Sequence, residues 1–125
     1  MTKLVAVYGS LRQGLHNHRV LGDSPMVGMG SVNGFGLYSL GAYPAISSDG
    51  KHVPVVVELY EVDNISMSRL DRLEGYPSYY NRRIVDVHKE DGIQKAWIYF
   101  QQGEPSDIFI ESGDWTRYLI EKVNR

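Results

Sequence analysis

The chain has 125 residues, of which 42% are hydrophobic and 22% charged, with a formal net charge of −2 at pH 7. That length suits one domain over residues 1–125, the balance is that of a soluble globular protein, and the charge gives no footprint for nucleic acid or an anionic membrane surface. There is no cysteine, which excludes disulfides, thiolate metal sites and cysteine nucleophiles and fits a reducing compartment. The first apolar run, Leu4-Val5-Ala6-Val7, is too short for a signal core or a membrane span, so a cytoplasmic protein is expected.

Residues 3–8 read as a buried first strand that breaks at Gly9 into the loop Ser10-Leu11-Arg12-Gln13-Gly14. A polar, partly helical segment with Asn17 and His18 follows and ends at Pro25. Over residues 27–38, glycines 28, 30, 34 and 36 keep one parity, so they share a strand face if no bulge intervenes. Glycines inside a strand mark bends or close backbone approach, here the corner of a strongly curved sheet. Tyr43-Pro44 lies in a loop that ends at Ser48-Asp49-Gly50. Residues 53–62 form a long β-branched strand, with Pro54 marking an edge or a strand start.

A short helix over residues 66–74 follows, stopped by Gly75 and Pro77, with Met67, Leu70 and Leu73 as its inward stripe. Residues 80–88 and 93–100 make a hairpin through Lys89-Glu90-Asp91-Gly92, with Asp-Gly as the turn cue. A last helix begins near Asp114, a good N-cap, and carries the stripe Trp115, Tyr118, Leu119 and Val123. Adjacent arginines at 82 and 83 read as a solvated strand face. Strands, an inserted helix, a hairpin and a terminal helix imply an α+β fold, a small β-barrel with helices packed outside. Barrel closure would remove the exposed edges that so much strand sequence otherwise presents.

Glu74 is the chemical anomaly. It falls four residues after Leu70 and seven after Met67, on the face that should be apolar, and in the last helical turn, where the dipole favours cations. A carboxylate aimed at a core has a raised pKa, as general bases require. Taken alone, Glu74 could instead reach solvent or pair with Arg72, Arg82 or Arg83. Tyr8-Gly9-Ser10-Leu11-Arg12 is the second informative segment. A buried strand running into glycine leaves consecutive N–H groups without ladder partners, and such groups bind a carboxylate or stabilise an oxyanion. No phosphate-loop spacing is present. His16 and His18 are spaced like two metal ligands but nothing supplies a third, and Ser10 has no histidine at a supporting spacing. Trp97 and Trp115 read as core anchors.

Together, Tyr8-Gly9-Ser10-Leu11-Arg12 and Leu70-Asp71-Arg72-Leu73-Glu74-Gly75-Tyr76-Pro77-Ser78-Tyr79-Tyr80-Asn81-Arg82-Arg83 resemble the γ-glutamylcyclotransferase-like family, in the branch of AIG2-like proteins and γ-glutamylamine cyclotransferase. Asn17-His18-Arg19, Tyr43-Pro44 and Val57-Glu58-Leu59-Tyr60-Glu61-Val62-Asp63 share in the resemblance, which runs roughly from Lys3 to Trp115. It implies a mixed β-barrel, a small-molecule γ-glutamyl substrate held by Tyr8, Gly9, Ser10 and Leu11, and Glu74 as catalytic acid/base. It further implies no metal or organic cofactor and release of 5-oxoproline with an amine or amino acid. Tyr80 is an aromatic position of the family, and Tyr43, Tyr76 and Tyr80 would line the leaving-group side. The rival reading is a non-catalytic module that holds a small ligand on the same scaffold; hydrolysis by an activated water, giving glutamate, is a third.

Overall fold

The computed structural model describes residues 2–124. Strands β1 (Thr2–Val7), β2 (Met26–Val32), β5 (Val55–Asp63), β6 (Asn81–Lys89) and β7 (Gly92–Phe100) close into a barrel in the order β1-β5-β2-β6-β7. Strands β3 (Gly36–Ser39) and β4 (Pro44–Ser47) form a separate two-stranded sheet. Helices α1 (Asn64–Glu74) and α2 (Trp115–Val123) and a 3-10 turn (His18–Leu21) complete the α+β fold. The barrel is mixed. Its neighbouring strands run antiparallel except where β1 meets β7, a parallel pairing centred on Val5 and Trp97.

Alternation along the strands builds two cores rather than one. Ala6 of β1 and Val55, Val57 and Leu59 of β5 join Ile98, Phe100 and Trp115 in the first. The residues between them, Val5 and Val7 of β1 with Tyr60 and Val62 of β5, pack instead with Met67 and Leu70 of α1 and with Leu21. A period of two therefore gives β1 and β5 an apolar side chain for each face, one for the barrel and one for the helix. That double burial fixes α1, and with it Glu74, against the end of β1.

Both helices begin with side-chain caps. Asp63 accepts a hydrogen bond from the Ser66 backbone N–H at 2.7 Å, and Asp114 one from Arg117 at 3.3 Å. Helix α1 ends at Gly75, whose φ of 64° is left-handed. There the Gly75 N–H donates to Arg72 and the Tyr76 N–H to Asp71, the paired bonds of a Schellman motif.

Several elements depart from the sequence reading for physical reasons. The four glycines do not share a strand. A register shift between Met26 and Gly28 bulges β2, and Gly34, with φ of 89°, lies in the turn to β3. The backbone of His88 presses on Gly30, so close approach does explain that glycine. Pro54 precedes a strand that lies between two others, so it marks a start and not an edge. Leu73 is 41% exposed and Val123 81%, each within a residue of the end of its helix, where the apolar stripe runs out of packing partners. Arg82 and Arg83 are not a plain solvated face. Arg82 pairs with Asp71 at 2.9 Å and lies over Tyr76 and Trp97, while Arg83 lies over Phe35 and Phe100. No helix among the described residues is long and apolar enough to cross a membrane.

Candidate active site

Where β1 leaves the barrel, the chain turns tightly: the Arg12 N–H donates to the Gly9 carbonyl at 2.9 Å, leaving Ser10 and Leu11 at the centre of the turn. The N–H groups of Gly9, Ser10 and Leu11 donate to no acceptor among the described residues. Asn17 braces the turn from outside, its backbone N–H bonding the Ser10 carbonyl at 3.0 Å and its side-chain amide the Ser10 hydroxyl at 2.9 Å. His18 Nδ1 lies 2.9 Å from the Leu11 carbonyl, so this histidine is occupied in holding the loop.

Gly9 is required for space. A Cβ there would stand 2.7 Å from the Pro44 ring, which seats the β3–β4 unit directly on the turn. Gly9→Ala is expected to push Pro44 and the turn apart and to destabilise the protein by about 1–3 kcal/mol, the cost of overpacking. Thermal unfolding checks this, and an unchanged midpoint would mean that the contact yields freely.

A cavity of about 230 Å³ opens beside this turn. Its lining includes Tyr8, Gly9, Ser10, Leu11, Tyr43, Glu74 and Tyr80, seven of the eight residues given a site role in the sequence; Tyr76, the eighth, lies outside it, its ring under the Arg82 guanidinium. The structure adds Leu73, Tyr79, Tyr99, Asn17 and Pro44. Tyr80 is 4% exposed and donates its hydroxyl to the Pro44 carbonyl at 2.8 Å; Tyr8 donates to the Tyr99 carbonyl at 2.8 Å. Both phenols are thus tied to backbone and offer the cavity mainly their rings. Tyr79, its neighbour on the chain, is 53% exposed and reaches the Tyr43 hydroxyl at 2.7 Å across the rim. Alternation at Tyr79-Tyr80 points to one inward and one outward aromatic, as found, but carries no sign of the partner at Tyr43.

Glu74 is half-buried, and its carboxylate makes neither a hydrogen bond nor an ion pair among the described residues. Arg82 is committed to Asp71, and Arg83 lies over the rings of Phe35 and Phe100. Burial raises the Glu74 pKa from its ordinary value to about 7. The rings around it respond. Burial pushes the Tyr8 phenol well up, with Tyr80 and Glu74 adding to it, and burial followed by Glu74 does the same to Tyr80. Tyr43 is raised first by its bond to Tyr79. At neutral pH the cavity therefore holds a carboxyl poised between its two protonation states, among phenols that stay neutral.

Behind the turn lies a buried polar cluster that the sequence did not announce. Arg12 pairs with Glu58 at 2.9 Å and with Asp114 at 2.7 Å. Glu58 also accepts from the Gln13 N–H at 2.8 Å and the Tyr60 hydroxyl at 2.9 Å. Burial alone would lower the Arg12 pKa, but its bonds to Glu58 and Asp114 outweigh that and raise it. The cluster clamps the loop to β5 and to the cap of α2. No group of three or more His, Cys, Asp or Glu side chains among the described residues could hold a metal ion.

A closed mixed barrel with a desolvated carboxyl in a rim cavity defines a small-molecule enzyme scaffold, and the comparisons with known proteins agree. The family described as Gamma-glutamyl cyclotransferase, AIG2-like matches residues 5–117. A protein of Methanocaldococcus jannaschii is 38% identical over 116 residues, covering 91% of this chain and 96% of its own. Gamma-glutamylcyclotransferase family protein YtfP of Escherichia coli is 34% identical over 113 residues, 89% of this chain and 94% of its own. Among solved structures, YkqA from Bacillus subtilis superposes with a TM-score of 0.84 at 27% identity, over 100% of this chain and 44% of YkqA. The chain belongs to the γ-glutamyl cyclotransferase, AIG2-like family, and is a γ-glutamylcyclotransferase-like enzyme.

Proposed function

We propose that the protein cyclises a γ-glutamyl compound, releasing 5-oxoproline and a free amine or amino acid, with Glu74 as general acid and base. One observation carries this reading: an unpaired carboxyl of pKa about 7 shares a cavity with three open backbone N–H groups. In the reaction the substrate's α-amino nitrogen attacks its own γ-carbonyl carbon. An ammonium is not nucleophilic, so Glu74 first accepts a proton from it. The new C–N bond closes a five-membered ring as the original amide C–N bond breaks. Glu74 returns that proton to the departing nitrogen, and the ring nitrogen sheds its second proton by the same route as it becomes an amide. The amine therefore leaves as an ammonium ion and the carboxylate is regenerated.

The N–H groups of Gly9 to Leu11 would receive the developing oxyanion or the substrate's own carboxylate, at no cost in side-chain charge. The rings of Tyr8 and Tyr80 would hold the glutamyl methylenes folded. Because ring closure is intramolecular, that folding supplies much of the acceleration.

The test is product analysis with purified protein and a panel of γ-glutamyl amines, γ-glutamyl amino acids and glutathione. The expected product is 5-oxoproline in step with the free amine. Glutamate in its place would indicate water as the nucleophile. Tight binding of a panel member without any product would identify a ligand-holding module instead.

A further inference from the structure

Helix α1 has to hold Glu74 in place at the point where its apolar packing gives out. Leu70 is its last fully buried side chain and Leu73 is 41% exposed, so no apolar contact anchors the turn that carries the carboxyl. A polar network takes over there. Asp71 stands three residues before Glu74 and is its neighbour on the helix surface. One Asp71 oxygen accepts the Tyr99 hydroxyl at 2.7 Å and the Arg82 Nε–H at 2.9 Å, and the other accepts Arg82 Nη2 at 3.3 Å. Arg82 is itself held, with its guanidinium 4.4 Å over the Tyr76 ring and 4.5 Å over that of Trp97. Asp71 is thereby tied to both strands of the β6–β7 hairpin. Tyr99 carries the tie further, because its carbonyl accepts the Tyr8 hydroxyl at 2.8 Å and it lines the cavity. The end of β1 and the end of α1 are thus fixed to one residue of β7.

Neither Asp71 nor Arg82 lines the cavity, and the reaction gives neither a task. Besides Glu74, the ionisable groups in the lining are the phenols of Tyr8, Tyr43, Tyr79, Tyr80 and Tyr99. Charges on the other elements packed against α1 are engaged elsewhere. Lys3 of β1 bonds Asn64 at the opposite end of the helix, and Glu58 of β5 bonds Arg12. In the 3-10 turn, His18 lies against the Leu11 carbonyl and Arg19 stands beside Arg69 and Arg72. What distinguishes the Glu74 carboxyl is its burial, and that burial depends on where the last turn of α1 lies.

We propose that Asp71 is the positioning residue of this site, and that its contacts with Tyr99 and Arg82 hold the last turn of α1 so that the Glu74 carboxyl stays out of water. The inference rests on the proposed reaction only for what that carboxyl then does.

The test reads the carboxyl directly, by NMR titration of protein carrying isotope-labelled glutamate, with Glu74→Gln identifying the signal. Asp71→Ala, Arg82→Gln and the two combined are compared, with circular dichroism confirming the fold. Loosening the turn lets water reach the carboxyl. Its midpoint is therefore expected to fall from about 7 in all three variants, by about one unit or more in the double. A simple field effect behaves otherwise. Loss of the Asp71 anion would lower the midpoint, loss of the Arg82 cation would raise it, and the double variant, unchanged in net charge, would stay near the parent. Arg82→Gln leaves the Tyr99–Asp71 bond in place and sets position against field, so it decides the sign even if the alanine variants fail to fold. Asp63→Ala uncaps the far end of the same helix and should leave the midpoint where it is. A rise in Arg82→Gln, a double variant at the parental midpoint, or an equal fall in Asp63→Ala would overturn the inference. A midpoint that moves as expected in a protein releasing no 5-oxoproline would count against the proposed reaction and leave the role of Asp71 standing.

Discussion

Replacing Glu74 by glutamine is expected to lower the rate of 5-oxoproline release by about 10²–10⁴-fold, the usual worth of a positioned general acid or base. The change keeps the side chain's shape and removes only its capacity to exchange a proton. In the unaltered protein, kcat/KM should rise with pH through an apparent pKa of about 7, because only the ionised carboxylate can accept the ammonium proton. The residual rate of the variant should lack that limb. A well-folded Glu74→Gln protein with the parental rate would remove Glu74 from the mechanism.

The same substitution has an effect of opposite sign on stability. Burial raises the folded-state pKa of Glu74 to about 7, above the value for an unfolded chain. The proton is therefore held more tightly in the folded protein. Stability linked to this group is fully present below the unfolded value and is lost as pH rises through about 7. Glu74→Gln should consequently be more stable than its parent near pH 8.5, by at most about 3 kcal/mol, and the difference should close near pH 4. Denaturation at the two pH values measures it. A variant that gains no stability at high pH would show that the carboxylate is better solvated than its burial implies.

The second large effect concerns the clamp behind the loop. Arg12→Met is expected to cost about 3–5 kcal/mol, because it strands Glu58 in the interior without its cation. The Arg12 and Glu58 side chains are only 7% and 6% exposed, so water cannot take over the lost contact. Lys95→Met provides the contrast. Its pair with Asp86 is as short, at 2.7 Å, but both side chains stand largely in solvent, and the loss should stay below about 1 kcal/mol. Chemical denaturation of the two variants separates burial from distance as the quantity that matters. Similar losses in both would refute the assignment of Arg12 as the clamp. Since Gln13 also bonds Glu58, the Ser10–Leu11 turn should loosen in Arg12→Met, and the KM for the substrate should rise with it.

What could be read from the chain in advance was what local spacing encodes. Four residues from Leu70 to Glu74 are one helical turn, so a misplaced carboxylate was visible without any tertiary knowledge. A buried strand running into Gly9 signalled the turn with its open N–H groups, Asp114 the start of α2, and two β-branched runs around Asp91-Gly92 the β6–β7 hairpin. The contacts that local spacing does not encode join distant segments. Arg12 meets Glu58 across 46 positions and Asp114 across 102, and Tyr43 meets Tyr79 across 36. No periodicity relates such residues, because each depends on how the barrel closes. The parallel contact of β1 with β7 is of the same kind. Leu73 shows a subtler limit. Its spacing matched the buried stripe, yet helix α1 ends one residue later, so nothing packs above it and it is left at the mouth of the cavity.

Strand β1 lies between β5 and β7 and has no open edge. The turn it delivers lines the cavity together with Glu74 at the end of α1, which follows β5, and with Tyr99 of β7, so the elements on both sides of β1 feed one site. Occupancy of the cavity and global unfolding therefore compete. A ligand at a hundred times its dissociation constant would shift the unfolding equilibrium of the entire ring by about 2.7 kcal/mol. In a chain of this size such a shift amounts to several degrees in Tm, so the barrel as a whole reports on the contents of a cavity at its rim.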